Sequence, residues 1–199
     1  MVSIVDDDEM FARSTARLLQ SMGYEALTYT DVGDFLMAPE EERNACILLD
    51  VRLPGTSGLD LQTALQSRQY HSPIIFLTGY ADVPSSVRAM KEGAVDFLTK
   101  PVAKETLLAA VESALKLDEE RREMKAKLQA WQKAFQTLTE RERQVFEGVV
   151  AGKLNKQIAA EIGAAIRTVK AHRAHVMQKM KTDSLAELVR VSEQMRANK

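Results

Sequence analysis

Over its first 117 residues the chain alternates short apolar runs with stretches of helical spacing. The runs are residues 2–5 (VSIV), 26–29 (ALTY), 45–49 (ACILL), 73–77 (PIIFL) and 95–98 (VDFL). Runs this short suit strands, and near-continuous apolarity is what strands buried on both faces require. Between them, residues 10–21, 31–37, 59–67, 85–91 and 104–117 space their apolar side chains as helices do. Gly23 and Gly93 close two of these helices, Pro39 stops another, and Pro101 breaks the chain ahead of the last. Five strands alternating with five helices predict a parallel sheet covered by helices on both faces.

Polar residues then stand where apolar runs end. Asp6, Asp7 and Asp8 follow the first run, Asp50 the third, Thr78 the fourth, and Lys100 lies just past the fifth. Open parallel sheets bind ligands at the carboxyl ends of their strands, where the strand order reverses. With an order of 2-1-3-4-5, the first and third strands are neighbours and Asp6, Asp7 and Asp50 converge. Clustered carboxylates repel one another unless a cation joins them. Hard oxygen donors at an open site select Mg²⁺ over zinc. Carboxylates, a hydroxyl and a lysine around such an ion are what phosphoryl transfer needs, with Asp50 as the nucleophile that becomes an acyl phosphate. Taken singly, each residue has a plainer reading: a capping aspartate or threonine, a surface lysine. A phosphatase built on an aspartate nucleophile needs a second acid two residues later, and Arg52 stands there. A dinucleotide site needs a glycine-rich turn after the first strand, and aspartates stand there instead.

The set Asp6-Asp7, Asp50, Thr78 and Lys100-Pro101 resembles the receiver domain of two-component response regulators, over residues 1 to about 120. The resemblance implies a flavodoxin-like α/β fold of five parallel strands, order 2-1-3-4-5. It implies that Asp50 takes phosphate from a phosphohistidine on a sensor histidine kinase. It assigns Mg²⁺ to Asp6, Asp7, Asp50 and the backbone carbonyl of Arg52. Thr78 and Lys100 would assist transfer, Thr78 and Phe97 would form the switch, and the Lys100–Pro101 bond would be cis. Asp8 is a third acid beyond the family pair and is expected to face solvent. Self-phosphorylation and slow self-dephosphorylation would be the only catalysis.

The net charge of −1 hides a division. Residues 1–117 carry 17 acids and 10 bases, whereas residues 137–199 carry 7 acids and 12 bases. An acidic front and a basic back predict two domains with different partners, the basic one meeting a polyanion. Between them, residues 118–136 lack Gly and Pro and are rich in helix formers. Leu117, Met124, Leu128, Trp131, Phe135 and Leu138 fall on a heptad seam with Arg121 at the missing position. Such a helical linker either pairs with a second subunit or packs on its own chain. The single Cys46 excludes an internal disulfide and reads as a small buried hydrophobe. No apolar run reaches membrane-spanning length and no signal-peptide pattern leads the chain, so a cytoplasmic protein without membrane attachment is expected.

Residues 137–199 read as a small all-α domain. Thr139 and Glu142 form a capping box for a helix that stops at Gly152, and Asn155 is expected to cap a second helix ending at Gly163. A third runs Ile166–Met180, and Ser184 with Glu187 opens a fourth. On the third, Val169, Val176 and Met180 share the inward face, while Arg167, Lys170, Ala171, Ala174 and Gln178 share the opposite one. A helix so built can enter a major groove, its alanines permitting close approach. Lys170 could donate to guanine; Lys156, Arg167, Thr168 and Arg173 could meet phosphates. The alternative is a helical bundle with a solvated basic face. His172 and His175 offer no metal site on the sequence alone, for lack of a third ligand.

The string LTERERQVFEGVVAGKLNKQIAAEIG, followed by RTVKAHRAHVMQKM and SLAELV, resembles the LuxR-type output domain of the FixJ/NarL group. The resemblance implies that the second helix of the pair reads double-stranded promoter DNA, that the last helix forms the DNA-bound dimer, and that RNA polymerase is a further partner. One departure is Ala164-Ala165, where the family commonly has an aliphatic residue and a serine. The missing hydroxyl removes a helix cap worth about 1 kcal/mol. The whole chain thus reads as a phosphorylation-regulated, DNA-binding transcriptional regulator that forms a homodimer on activation. The other reading is a DNA-binding protein kept dimeric by its linker without phosphorylation.

Overall fold

The structure, a computed structural model, describes residues 1–38, 46–68, 70, 72–79 and 82–197. The expected strand start at Ala45 and the expected helix stop at Pro39 lie outside them. The chain divides into two compact units, Met1–Arg121 and Arg122–Lys199.

The first unit is built on the strands β1 (Val2–Val5), β2 (Ala26–Tyr29), β3 (Cys46–Leu49), β4 (Arg52–Leu53), β5 (Thr56–Ser57), β6 (Ile74–Thr78) and β7 (Asp96–Thr99). Its helices are α1 (Glu9–Ser21), α2 (Val32–Met37), α3 (Gly58–Ser67) and α4 (Val83–Lys91), joined by the start of α5 (Lys104–Gln136). The parallel sheet has the order β2-β1-β3-β6-β7. Apart from the small β4–β5 pair, this is the expected 2-1-3-4-5.

Alternate residues of each buried strand feed two cores. Ile4, Leu48, Ile75 and Leu77 meet Ala12, Ala16 and Leu19 of α1 and Leu107, Val111 and Ala114 of α5. Val5, Ile47, Leu49 and Phe76 meet Phe35, Leu59, Leu65 and Ala89 on the other side. Period-two side-chain alternation between two helical layers explains why these strands are apolar throughout.

Helix starts differ from the sequence expectation more than helix bodies do. Asp8 caps α1 by accepting from the Phe11 N–H at 3.0 Å, so the exposed third acid also has a structural task. Asp31 caps α2 rather than beginning it, and Asp82 caps α4, which opens with Val83 and Pro84 instead of at Ser85. The β4–β5 hairpin was not expected. It pairs Arg52 with Ser57 and Leu53 with Thr56 around Pro54 and Gly55, and Gly55 has φ +76°. Pro followed by a positive-φ Gly is the central pair of a type II turn. The Lys100–Pro101 bond is cis.

The second unit holds the end of α5 with α6 (Glu140–Val150), α7 (Asn155–Ile162), α8 (Ile166–Met180) and α9 (Leu185–Ala197). Their core is Leu138, Val145, Phe146, Val149, Ile158, Val169, Val176, Met180, Leu188 and Val191. Trp131, Ala134 and Phe135 of α5 pack against it, and the Phe135 ring meets Phe146 edge-on at 5.1 Å. The C-terminal half of the heptad seam is therefore covered by its own chain, while Met124 remains exposed. Two caps differ from expectation. Leu154, not Asn155, precedes α7, and its N–H donates to Gln157 Oε1; Asn155 Oδ1 accepts from Arg173 instead. At α9, Ser184 Oγ accepts from the Glu187 N–H, but the Glu187 carboxylate reaches the N–H of Asp183.

Candidate functional site

Register places the acids. Val5 pairs with Leu49 in the parallel β1–β3 ladder, so Asp6 and Asp50 are the next residues on adjacent strands. Their backbones continue the sheet: the Asp6 N–H donates to the Tyr29 carbonyl and the Asp50 N–H to the Val5 carbonyl. Asp7 stands beside them, exposed, and one carboxylate oxygen from each of Asp6, Asp7 and Asp50 lies within 4.8 Å of the others. Thr78 ends β6, the next strand, and is 1% exposed. Lys100 follows β7; its N–H donates to the Thr78 carbonyl. Phe97 is half-buried and packs against Phe76 with ring centroids 5.9 Å apart. All the strand-end residues picked out in the sequence thus lie at one end of one sheet.

The Lys100 ammonium sits between two of the acids, 2.5 Å from Asp6 Oδ2 and 2.7 Å from Asp50 Oδ2. It also lies 4.2 Å from the centre of the Phe11 ring, a cation–π contact. Asp50 Oδ1 accepts from the Arg52 N–H at 3.1 Å, which the β4–β5 hairpin holds in place. Burial pushes the Asp6 carboxyl up from its ordinary value, against the lowering pull of Lys100. Burial would depress Lys100, but hydrogen bonds to Asp50 and Asp6 outweigh it and hold the ammonium above its usual value. The lysine therefore stays charged, and burial makes the charged form of Asp6 costlier than in water. Cys46, buried in β3, is pushed up to about 12 by burial and is inert as a nucleophile.

Two contributors were not visible in the sequence. Phe11 reaches Lys100 only because α1 packs beside β1. Gly58 begins α3 where a Cβ would stand 2.1 Å from the Asp50 carbonyl oxygen, so any side chain there displaces the Asp50 backbone.

In the second unit, Arg167, Thr168, Lys170, Ala171 and Ala174 are exposed along α8, with Lys156 exposed at the start of α7. Arg173 is half-buried and donates to Asn155 at 3.3 Å, so it ties α8 to α7. Ala165 occupies the cap position of α8 and no side chain caps that helix. Glu142 lies beside the two histidines, a neighbour the sequence did not reveal, with one potential ligand atom each from Glu142, His172 and His175 within 4.8 Å.

Residues 2–112 match the response regulator receiver domain family, and residues 136–192 match the luxR family of bacterial regulatory proteins. The chain belongs to the response regulators. Nodulation protein W of Bradyrhizobium diazoefficiens is 46% identical over 97% of this chain and 85% of its own length. The transcriptional regulatory protein FixJ of Azorhizobium caulinodans is 42% identical over 96% and 90%. Among solved structures, response regulator StyR matches with a TM-score of 0.82 at 42% identity, covering 97% of this chain and 98% of that one. Full-length FixJ from B. japonicum matches with a TM-score of 0.59 at 39% identity, covering 98% and 97%. This response regulator accordingly joins a receiver, which implies a kinase partner, to a LuxR-type DNA-binding domain. Among its described residues no helix is long and apolar enough to cross a membrane.

Proposed function

We propose that Asp50 is the phosphoryl acceptor, that Asp6, Asp7, Asp50 and the Arg52 carbonyl hold Mg²⁺, and that the acyl phosphate drives dimerisation and promoter binding. The observation that carries this is the convergence of three carboxylates, with donor oxygens within 4.8 Å and two of them paired with Lys100. Three hard oxygen donors at an accessible strand end fit Mg²⁺. Bound there, the ion would supply positive charge to the oxygens of the incoming phosphoryl group.

The chain's own residues do the rest. A carboxylate oxygen of Asp50 attacks phosphorus of a sensor kinase's phosphohistidine. An O–P bond forms, the N–P bond breaks, and its electron pair stays on the imidazole. The Arg52 N–H fixes the Asp50 carboxylate for attack. Lys100, already charged and aimed at Asp50, balances the product, and the Thr78 hydroxyl donates to a phosphoryl oxygen. The new charge of up to about −2 re-aims Thr78 and Lys100, and Phe97 follows inward. The face made by α4, β7 and α5 then favours a second copy. Paired output domains would set Lys170 at base edges, with Lys156, Arg167 and Thr168 on phosphates and Ala171 and Ala174 against the groove, at half-sites about one turn apart. Bound at a promoter in the cytoplasm, the dimer would stand within reach of RNA polymerase.

The test is chemical. Incubated with acetyl phosphate and Mg²⁺, the wild-type protein should gain one phosphoryl group by intact mass, and Asp50→Asn none. Equal labelling of the two proteins would refute the site.

A further inference from the structure

We propose that Glu142, His172 and His175 form a second metal site, for a first-row transition dication of the zinc class, on the flank of the DNA-reading helix. Glu142 stands in the first turn of α6; His172 and His175 lie three residues apart on α8, so their imidazoles leave the same side of the helix. One ligand atom from each of the three falls within 4.8 Å of the other two. Two imidazoles and a carboxylate, with a coordination position left for water, are a zinc-type donor set rather than a magnesium one. The site shares no residue with the Asp6–Asp7–Asp50 cluster.

The two oxygens of Glu142 have separate surroundings. Oε2 accepts from the Lys179 ammonium at 2.7 Å and from the Thr139 N–H at 2.8 Å. Oε1 faces His175 Nδ1 at 3.8 Å. That gap is too long for a hydrogen bond. It is close to the roughly 3.3 Å between two donors that share one tetrahedral ion at about 2 Å each. Glu142 is 4% exposed, and its cap and its lysine fix its orientation as an outer shell fixes a ligand. The His175 side chain is 61% exposed, which gives an ion a route in and out. Lys179 is the counterweight: its charge beside the carboxylate opposes a dication and keeps binding exchangeable. An ion held here would tie the middle of α8 to α6 and make the firmness of the reading helix respond to metal supply.

The experiment uses the full chain, with Mg²⁺ in excess to occupy the oxygen site. Zn²⁺ is titrated against a chromophoric chelator, and Co²⁺ serves as the optical probe. Wild type should take up one more equivalent of Zn²⁺ than His175→Ala, and should show d–d bands with Co²⁺ that His175→Ala lacks. Lys179→Met should bind about tenfold more tightly, having lost the opposing charge. Identical stoichiometry and superimposable Co²⁺ spectra for wild type and His175→Ala overturn the proposal. Unchanged or weaker binding by Lys179→Met overturns it as well, because the ion would then lie elsewhere.

Discussion

Only a hydrogen atom separates Gly58 from a collision with the Asp50 backbone. A methyl group there must push the Asp50 carbonyl aside, and overpacking of this kind costs about 1–3 kcal/mol. Gly58→Ala should therefore lower the unfolding free energy of the first unit by about that much and slow acetyl phosphate labelling at Asp50. Wild-type values for both would show that the loop absorbs the methyl freely. Glu142 gives a second residue-level expectation. The Lys179 hydrogen bond, with the cap at Thr139, holds its carboxyl at about 2, well below the ordinary 4.5. The folded state thus binds fewer protons than the unfolded one in this range. The stabilisation is complete above about pH 4.5 and is lost as pH falls towards 2. The sole tryptophan, Trp131, packs on the core of the second unit, so its fluorescence reports that unit's unfolding. With chelator present, wild type should lose stability between pH 4.5 and 2 more steeply than Glu142→Gln. Coincident profiles would remove Glu142 from the account. Asp6, Asp50, Thr78 and Lys100 were legible in the sequence because each interrupts or ends an apolar run. Phe11, Gly58 and Glu142 were not, because their significance lies in which other element packs beside them.

At the scale of elements, the periodic segments were readable and the short or cap-dependent ones were not. β1, β2 and α8 lie where the sequence places them, the strands as short bounded apolar runs and α8 because its buried face repeats along the element. The β4–β5 hairpin has two residues per strand, too few to show any period, and only Pro54-Gly55 announces it. The seam of α5 was ambiguous for a different reason: a heptad reads the same whether it faces a partner or its own domain. Trp131 and Phe135 resolve half of it inward. The exposed row of α8 carries the clearest functional consequence. Lys170→Ala should weaken binding to a specific site far more than binding to random DNA, because base-edge contacts discriminate and phosphate contacts do not. A uniform loss, with the salt dependence reduced by about one counterion, would demote Lys170 to a phosphate contact.

For the molecule as a whole, the division of charge matches the division of labour. On the proposed function, the acidic unit would gather carboxylates for a cation and a phosphoryl group, and the basic unit would present lysine and arginine to a polyanion. If phosphorylation drives dimerisation as proposed, it need only bias an equilibrium of a few kcal/mol between monomer-like and dimer-like receivers. Light scattering should show the mean mass rising when beryllofluoride and Mg²⁺ are added. A protein already fully dimeric without them would move the switch into α5. The uncapped start of α8 adds a consequence of its own. With alanine at position 165, the first N–H groups of that helix have no side chain to receive them. In the proposed complex a backbone phosphate on the duplex would be the acceptor placed to do so. On the proposed DNA-binding role that phosphate would supply the missing cap, so part of the recognition surface would be completed by the very molecule it recognises.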